Sequence, residues 1–378
     1  MENICSEENC TGCSLCVNIC PVNAISMELN EEGFYFPRII KDKCINCGKC
    51  IKGCQANPKK QSPLVAYKAN SNDLNVLLTS TSGGLFVELA KKILKEGGRI
   101  FGAIFNEDFS VKHIEIGRVA DLAPAQGSKY IGSRIDDAYT TIKNLLKNKL
   151  RIAFFGTPCQ CAALKKFIGI EDENLLLCDF VCHGVASEKL FKHFLRNLEM
   201  KEGSDIKEFY FRSKDFGYTS PNVKVVYKNA KVEYYPTYDC SFGYAFAAGM
   251  INRKSCARCE FATFERCSDI TICDLTYSIS EDEKNRGVSL CLINSNKGGH
   301  WLEGCDIEKE EVSFDFCKKA QYHLTKAAEE HRLRYKVFKN IEKLPYEQLA
   351  KKYMSRPKNT FINKIKTKLL QITRRREK

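Results

Sequence analysis

The chain has 378 residues, a formal net charge of +13, 44% hydrophobic and 28% charged residues, and twenty-one cysteines. That composition is globular rather than disordered, at a length that can bury a core without disulfide staples. No run of about 18 apolar residues occurs, which excludes a spanning helix, and +10 of the net charge lies in residues 351–378, which leaves the body no basic surface for gripping nucleic acid.

At the start of the chain, Met1-Glu2-Asn3-Ile4-Cys5 lacks the basic and apolar regions of a signal peptide. The expected compartment is the cytoplasm, where many cysteines mean metal or redox chemistry. Nine cysteines lie in the first 54 residues, none between 55 and 158, and twelve from 159 to 317. Cys10-x2-Cys13-x2-Cys16-x3-Cys20 is followed by Pro21, and Cys44-x2-Cys47-x2-Cys50-x3-Cys54 repeats the spacing 34 residues later. Three thiolates two residues apart wrap one corner of an iron–sulfur cube, and the fourth faces away to serve the other cluster. Cys10, Cys13, Cys16 and Cys54 are therefore expected to hold one [4Fe–4S] cluster, and Cys44, Cys47, Cys50 and Cys20 a second. A pair of zinc sites is the alternative, but it does not account for two copies of the three-plus-one spacing. Residues 1–58 resemble a two-cluster bacterial ferredoxin domain, with Gln55 where a second proline is usual; Cys5 is surplus and reads as a free thiol.

A linker is expected over 59–75, around Asn57-Pro58-Lys59-Lys60-Gln61-Ser62-Pro63, and then an α/β (α+β) body over 76–345. Gly83–Lys95 reads as a helix with Leu85, Phe86, Leu89, Ile93 and Leu94 on one face. Strand and helix then alternate: strand 99–105, helix 136–146, strand 151–155, helix 159–167, strand 174–181, helix 187–198. Strands at 206–211, 223–227, 231–235, 270–275 and 288–293 follow, so at least part of the sheet is parallel.

Four places in the body carry chemistry. Ser80-Thr81-Ser82-Gly83-Gly84 opens a helix and offers backbone N–H groups to an anion; the same pattern also serves as a plain N-cap. Gly156-Thr157-Pro158-Cys159-Gln160 and Asp179-Phe180-Val181-Cys182-His183-Gly184 each follow a strand, where α/β folds place ligands. Ser255-Cys256-Ala257-Arg258-Cys259 is a redox dithiol or half a metal site. Two strand-end cysteines and this pair make four ligands. There is no G-x-G-x-x-G after a strand and no P-loop. The C-x3-C-x2-C of radical S-adenosylmethionine chemistry is also absent.

With Gly127-Ser128-Lys129-Tyr130 and Ser268-Asp269-Ile270-Thr271, these elements resemble, in order and spacing, the coenzyme F420 hydrogenase/dehydrogenase beta-subunit family over about two hundred residues. The resemblance implies a flavoprotein body binding FAD, a third [4Fe–4S] cluster on Cys159, Cys182, Cys256 and Cys259, and exchange with a hydride donor or acceptor such as coenzyme F420. It places Ser82, Gly83, Gly84, Ser128, Lys129, Tyr130 and Thr157 at the flavin, with Lys129 and His183 as the catalytic candidates. A satisfied core histidine is the alternative for His183. Cys161 and Cys273 stand where the family has other residues, and either of them, or Cys267, competes as a ligand. Cys178, Cys240, Cys291, Cys305 and Cys317 read as packing.

The functional expectation is an iron–sulfur flavoprotein oxidoreductase working with a redox partner protein or ferredoxin, related chains occurring in surface-polysaccharide gene clusters. The alternative is an electron-transfer subunit with no substrate site of its own. In the basic tail, 346–378, Phe361, Ile365, Leu369 and Ile372 recur at helical spacing. That pattern suits peripheral contact with an anionic membrane, or else a solvated or partner-docking segment. Three clusters at −2 each would shift the remaining charge from +3 to roughly −3.

Overall fold

The computed structural model describes residues 3–55 and 58–356. The expected amphipathic segment from Phe361 to Ile372 lies outside them.

The N-terminal module comprises α1 (Leu15–Asn18), the hairpin β1 (Ile25–Leu29) and β2 (Tyr35–Ile39), and α2 (Lys49–Gln55). The body continues with β3 (Val65–Ser71), α3 (Leu74–Thr79), α4 (Leu85–Lys95), β4 (Arg99–Phe105), β5 (Val111–Ile116) and β6 (Ser133–Arg134). Next come α5 (Ala138–Lys147), β7 (Ile152–Gly156), α6 (Pro158–Ile168), β8 (Leu175–Phe180) and α7 (Glu188–Glu202). Then follow β9 (Ile206–Ser213), β10 (Asn222–Tyr227), β11 (Val232–Pro236), α8 (Ser241–Ala247), β12 (Ile270–Asp274), α9 (Glu281–Arg286), β13 (Ser289–Ile293), α10 (Asn296–Leu302) and β14 (Ile307–Glu311).

A nine-stranded mixed sheet, in the order β14-β3-β13-β12-β8-β7-β4-β5-β6, organises the body. Its centre, β12-β8-β7-β4, is parallel, while β13, β3 and β14 add antiparallel strands on one side. The sequence explains the centre: all five residues of Ile152–Gly156 are buried, as expected for a parallel strand covered on both faces. The parallel strands end together, which brings Gly156, Phe180 and Asp274 to one edge of the sheet.

Helix α4 buries Leu85, Val87, Leu89, Ala90, Ile93 and Leu94. Glu88 lies on the same buried stripe and is satisfied there by Ser71 Oγ at 2.8 Å and Lys91 Nζ at 3.3 Å. β3 corrects the expected linker. This strand lies within 59–75 and pairs with β13 and β14 in the main sheet, where both its faces are covered: Ala69 and Ser71 are buried on one face and Ala66 on the other.

β9, β10 and β11 form a separate antiparallel sheet. Against it, the rings of Phe191, Phe209, Phe211 and Phe242 pack with centroids 4.9 to 5.3 Å apart. Tyr130 lies on the rim of this aromatic core, stacked on Phe246 at 4.5 Å and tilted on Phe211 at 4.9 Å.

The N-terminal module is seated on the body by a buried ion pair. Arg334 donates to both Glu32 carboxylate oxygens, at 3.0 and 2.5 Å, and to the Asn252 carbonyl at 2.8 Å. Beside it Gly33, at φ +81°, lies so close to α7 that a Cβ would clash with Lys189 Cβ. Only glycine suits both the backbone and the space.

Candidate functional site

In each N-terminal repeat the residues on either side of the second cysteine adopt positive φ. Gly12 (70°) and Ser14 (61°) flank Cys13, and Asn46 (54°) and Gly48 (70°) flank Cys47. Backbone turned this way gathers N–H groups into a concavity that suits anionic sulfur. Cys20, Cys44, Cys47 and Cys50 line one hollow together with Pro21, Val22 and Ile45. The other four thiols form a second group. Burial raises the pKa of Cys13, with Cys10 and Cys54 adding to the rise, and burial raises that of Cys16, with Cys13, Cys10 and Cys54 adding. Cys5 joins this second group. Its thiol bonds to Cys10 and Cys54, which pushes its own pKa up, while the same contact is the largest cause of Cys10 falling to about 6. Cys10, Cys13, Cys16 and Cys54 are thus near enough to act on one another, and Cys20, Cys44, Cys47 and Cys50 share the hollow.

Side chains of the body hold the second group from behind. Ser255 Oγ and Arg253 donate to the Cys10 carbonyl at 2.9 and 3.3 Å, and Tyr139 Oη donates to the Cys13 carbonyl at 3.1 Å. The Arg253 guanidinium is sandwiched near Phe34 and Phe36, 5.2 and 4.8 Å from their centroids. Lys166 Nζ reaches the Gly53 carbonyl at 2.9 Å. Ser255 is the chain neighbour of Cys256, so one residue joins the ligand loop of the N-terminal module to a thiol of the body.

At the carboxyl edge of β7, β8 and β12 lies a cavity of about 750 Å³, within the range of cofactor-sized sites. Ser82, Gly84, Ser128, Lys129, Tyr130, Thr157 and His183 line it, and so do Cys159, Cys182, Cys256 and Cys259. Thr11, Gly12 and Tyr35 of the N-terminal module complete the wall. Gly83 does not line it. A Cβ there would meet the Ala69 carbonyl oxygen at 2.5 Å and Ser289 N at 2.6 Å, so this glycine serves the close approach of the turn to β3 and β13. Among the competing cysteines, Cys273 lines the cavity; Cys161 and Cys267 do not. Cys161 Sγ instead points at the Gly156 and Cys178 carbonyls, at 3.8 and 3.7 Å. Cys178, read as packing, is buried and also lines the wall.

The four body thiols share burial as the main cause of raised pKa, Cys256 reaching about 11. They also feel one another: Cys259, Cys256 and Cys13 raise Cys159, and Cys256, Cys159 and Cys259 raise Cys182. Among the described residues no three His, Cys, Asp or Glu side chains converge as the ligands of a single ion do.

Thr157 caps α6 and its amide donates to Gln160 Oε1 at 3.1 Å, with Pro158 in the first turn. This sets Cys159 in the first turn at the cavity wall, where its Sγ meets Thr157 Oγ1 at 3.1 Å. Lys129 is half-buried, and its Nζ donates to the Gln126 and Gly127 carbonyls, at 2.9 and 3.2 Å. Among the described residues no carboxylate pairs with it, and desolvation pushes its pKa down to about 7. Burial also lowers His183 to about 4, with the neighbouring His323 ring (4.3 Å between centroids) contributing. The buried Ser80 Oγ on the cavity wall has no hydrogen-bond partner among the described residues.

Sequence reasoning missed His113. It lies on β5 with Nε2 at 2.9 Å from the Phe155 carbonyl and Nδ1 at 2.9 Å from Ser133 Oγ, and burial lowers it to about 4. Gln160 donates to the same Ser133 Oγ at 3.0 Å, so a buried polar network backs the Thr157 turn. A lone histidine in an alternating strand carries no motif; only the position of β5 beside the cavity gives it meaning.

Residues 149–344 match the family model of the C-terminal part of the coenzyme F420 hydrogenase/dehydrogenase beta subunit. The chain belongs to that family. Residues 9–57 match the 4Fe–4S dicluster domain. The ferredoxin-type protein NapF of Haemophilus influenzae is 40% identical over 45 residues, which is 12% of this chain and 26% of that protein. The match therefore spans about a quarter of that relative's length. A chain of the F420-reducing [NiFe] hydrogenase complex from Methanosarcina barkeri superposes with a TM-score of 0.44 and 15% identity, covering 70% of this chain and 89% of that one. The chain thus joins a 4Fe–4S dicluster domain to a body of this family. No helix among the described residues is long and apolar enough to cross a membrane.

Proposed function

We propose that the protein is an iron–sulfur flavoprotein oxidoreductase that exchanges electrons between a protein partner and a two-electron substrate of the F420 type. Cys10, Cys13, Cys16 and Cys54 would hold one [4Fe–4S] cluster, Cys20, Cys44, Cys47 and Cys50 a second, and Cys159, Cys182, Cys256 and Cys259 a third. FAD would occupy the cavity. Bound there, clusters carry single electrons and a flavin converts them to electron pairs.

The observation that carries this reading is the junction. Ser255, next to Cys256, holds the Cys10 carbonyl at 2.9 Å, and the Cys13 thiol is near enough to Cys159 to raise its pKa. Thiols of the N-terminal module and of the body thus adjoin through one packed wall, which opens on a cofactor-sized cavity. The residues present suit a flavin. Ser80 offers a hydroxyl without a partner among the described residues, Gly84 at φ +82° opens the turn before α4, and Lys129 brings a cation that no described carboxylate pairs. Tyr130, held flat on Phe246, supplies an aromatic wall. Thr157 and the Gln160–Ser133–His113 network keep the Cys159 turn rigid, so the thiol and the cavity hold their spacing.

The test is composition. Protein purified without oxygen is expected to hold about twelve irons, at four per cluster, and one flavin. Cys182→Ser should lower iron to about eight and leave the N-terminal clusters' EPR signals intact. Eight irons in the unaltered protein would remove the third cluster. Absence of flavin would leave an electron-transfer subunit that docks a partner enzyme.

A further inference from the structure

All five basic residues of the first 58, Arg38, Lys41, Lys43, Lys49 and Lys52, fall in the stretch that carries Cys44, Cys47 and Cys50. The acids of the same segment, apart from Asp42, lie elsewhere at 2, 7, 8, 28, 31 and 32. The five cations are exposed, and among the described residues none stands within ion-pair distance of a carboxylate. Lys49 and Lys52 are three apart on α2 and share a face.

Apolar side chains are exposed beside these cations, and Lys49 itself lines the hollow of Cys20, Cys44, Cys47 and Cys50. Ile45 is 61% exposed, and Val22 and Ile40 are 37% and 38% exposed. Ile45 and Val22 line the hollow of Cys20, Cys44, Cys47 and Cys50, and Cys47 is itself exposed. Apolar side chains with charged ones beside them are the anatomy of a transient protein interface, and these flank the thiols furthest along the chain of sites from the cavity. A cluster of charge −2 in the hollow would still leave the stretch net positive, at +4 before and about +2 after.

We infer that this face docks an acidic one-electron carrier protein, its negative surface matching the five cations and its redox centre brought against Ile45 and Cys47. The inference rests on the proposed cluster in that hollow and adds the place and charge of the partner. Electrostatic matching of this kind raises association rates 10- to 1000-fold at low salt, and the gain is lost as salt screens it.

The test uses the full chain, purified without oxygen, and a purified acidic two-cluster ferredoxin as probe, reduced beforehand and mixed in a stopped flow. The second-order rate is expected to fall at least tenfold between low and high salt. Lys41→Glu/Lys43→Glu/Lys49→Glu should lower it at least tenfold at low salt, with iron content and EPR unchanged. Lys147→Glu/Lys207→Glu/Lys319→Glu makes the same net change at exposed positions outside the module and should leave the rate within about twofold.

A salt-independent rate would overturn the docking proposal, and so would equal losses in both triple variants. Loss of the salt effect on deleting 357–378, with no response to the first triple, would move the docking to the tail and overturn it as well. If that triple instead abolishes sedimentation with phosphatidylserine vesicles and leaves the ferredoxin rate unchanged, the face binds lipid. Loss of about four of the twelve irons together with one of the two N-terminal EPR signals in the unaltered protein would be failure of the cluster reading, separate from failure of the docking.

Discussion

Seating of the N-terminal module on the body depends on a charge pair that can be broken with one atom's change. Glu32→Gln keeps the shape but leaves the Arg334 guanidinium, 3% exposed, facing a neutral amide. Removing one partner of a buried pair costs about 3–5 kcal/mol because the other charge stays desolvated. Glu32 is itself 22% exposed, which favours the lower end, about 3 kcal/mol. At about 1.4 kcal/mol per decade, the undocked fraction should rise roughly 150-fold. The Glu188 amide, which bonds the Gly33 carbonyl at 3.1 Å across this junction, reports it directly. Its hydrogen exchange should quicken by up to that factor, while amides in β7 and β8 keep their rates. The double variant Glu32→Gln/Arg334→Met should recover most of the loss, since no unpaired charge remains. Glu188 exchange within about threefold of the unaltered protein would refute the reasoning, by showing that other contacts seat the module.

Two further predictions follow from the site. Cys161→Val should leave the iron content unchanged and cost less than about 1.5 kcal/mol, because its thiol faces buried carbonyls rather than the cavity; loss of four irons on that change would assign it as a ligand. Lys129, at about 7 in the folded chain against 10.5 when unfolded, carries its positive charge below pH 7 and loses it above. Between pH 7 and 10.5 the unfolded chain binds the extra proton, so burying this amine costs stability below pH 7 and the cost is relieved as pH rises. On the proposed assignment, FAD affinity should weaken by up to tenfold per pH unit above about 7. Equilibrium binding at pH 6 and pH 8.5 measures this, and the same slope in Lys129→Met would discharge Lys129 from that role.

Much of the site was legible because its signals are local. Two repeats of cysteine spacing report ligation within a few residues of chain, and the grouping of thiols in the fold follows that spacing. Strand-then-helix patterns placed Gly156-Thr157-Pro158-Cys159 and Cys182-His183-Gly184 at strand ends, where the cavity is found. The linker reading failed because β3 is short, half polar and preceded by prolines, and it earns its place only by pairing with β13, more than two hundred residues on. Gly83 was misjudged because a glycine needed for a phosphate cradle and one needed for close backbone packing look the same in sequence.

Residue types and short-range spacing by themselves carried the alternating α/β body, the absence of an apolar span and the proposed division of the N-terminal thiols into two quartets. Each of these depends on neighbours within one turn, one strand or one repeat. Only the tertiary structure decided which of the twelve later cysteines share a cavity. Cys159 and Cys161 are two residues apart on α6, and at about 100° per residue they point some 200° apart, one to the cavity and one to the core. It also decided that the five cations of the N-terminal module and the apolar Val22, Ile40 and Ile45 are exposed, and that Ser255 joins that module to the body. Distance along the chain carries no information about these contacts, because they are made by packing between elements that the sheet brings together.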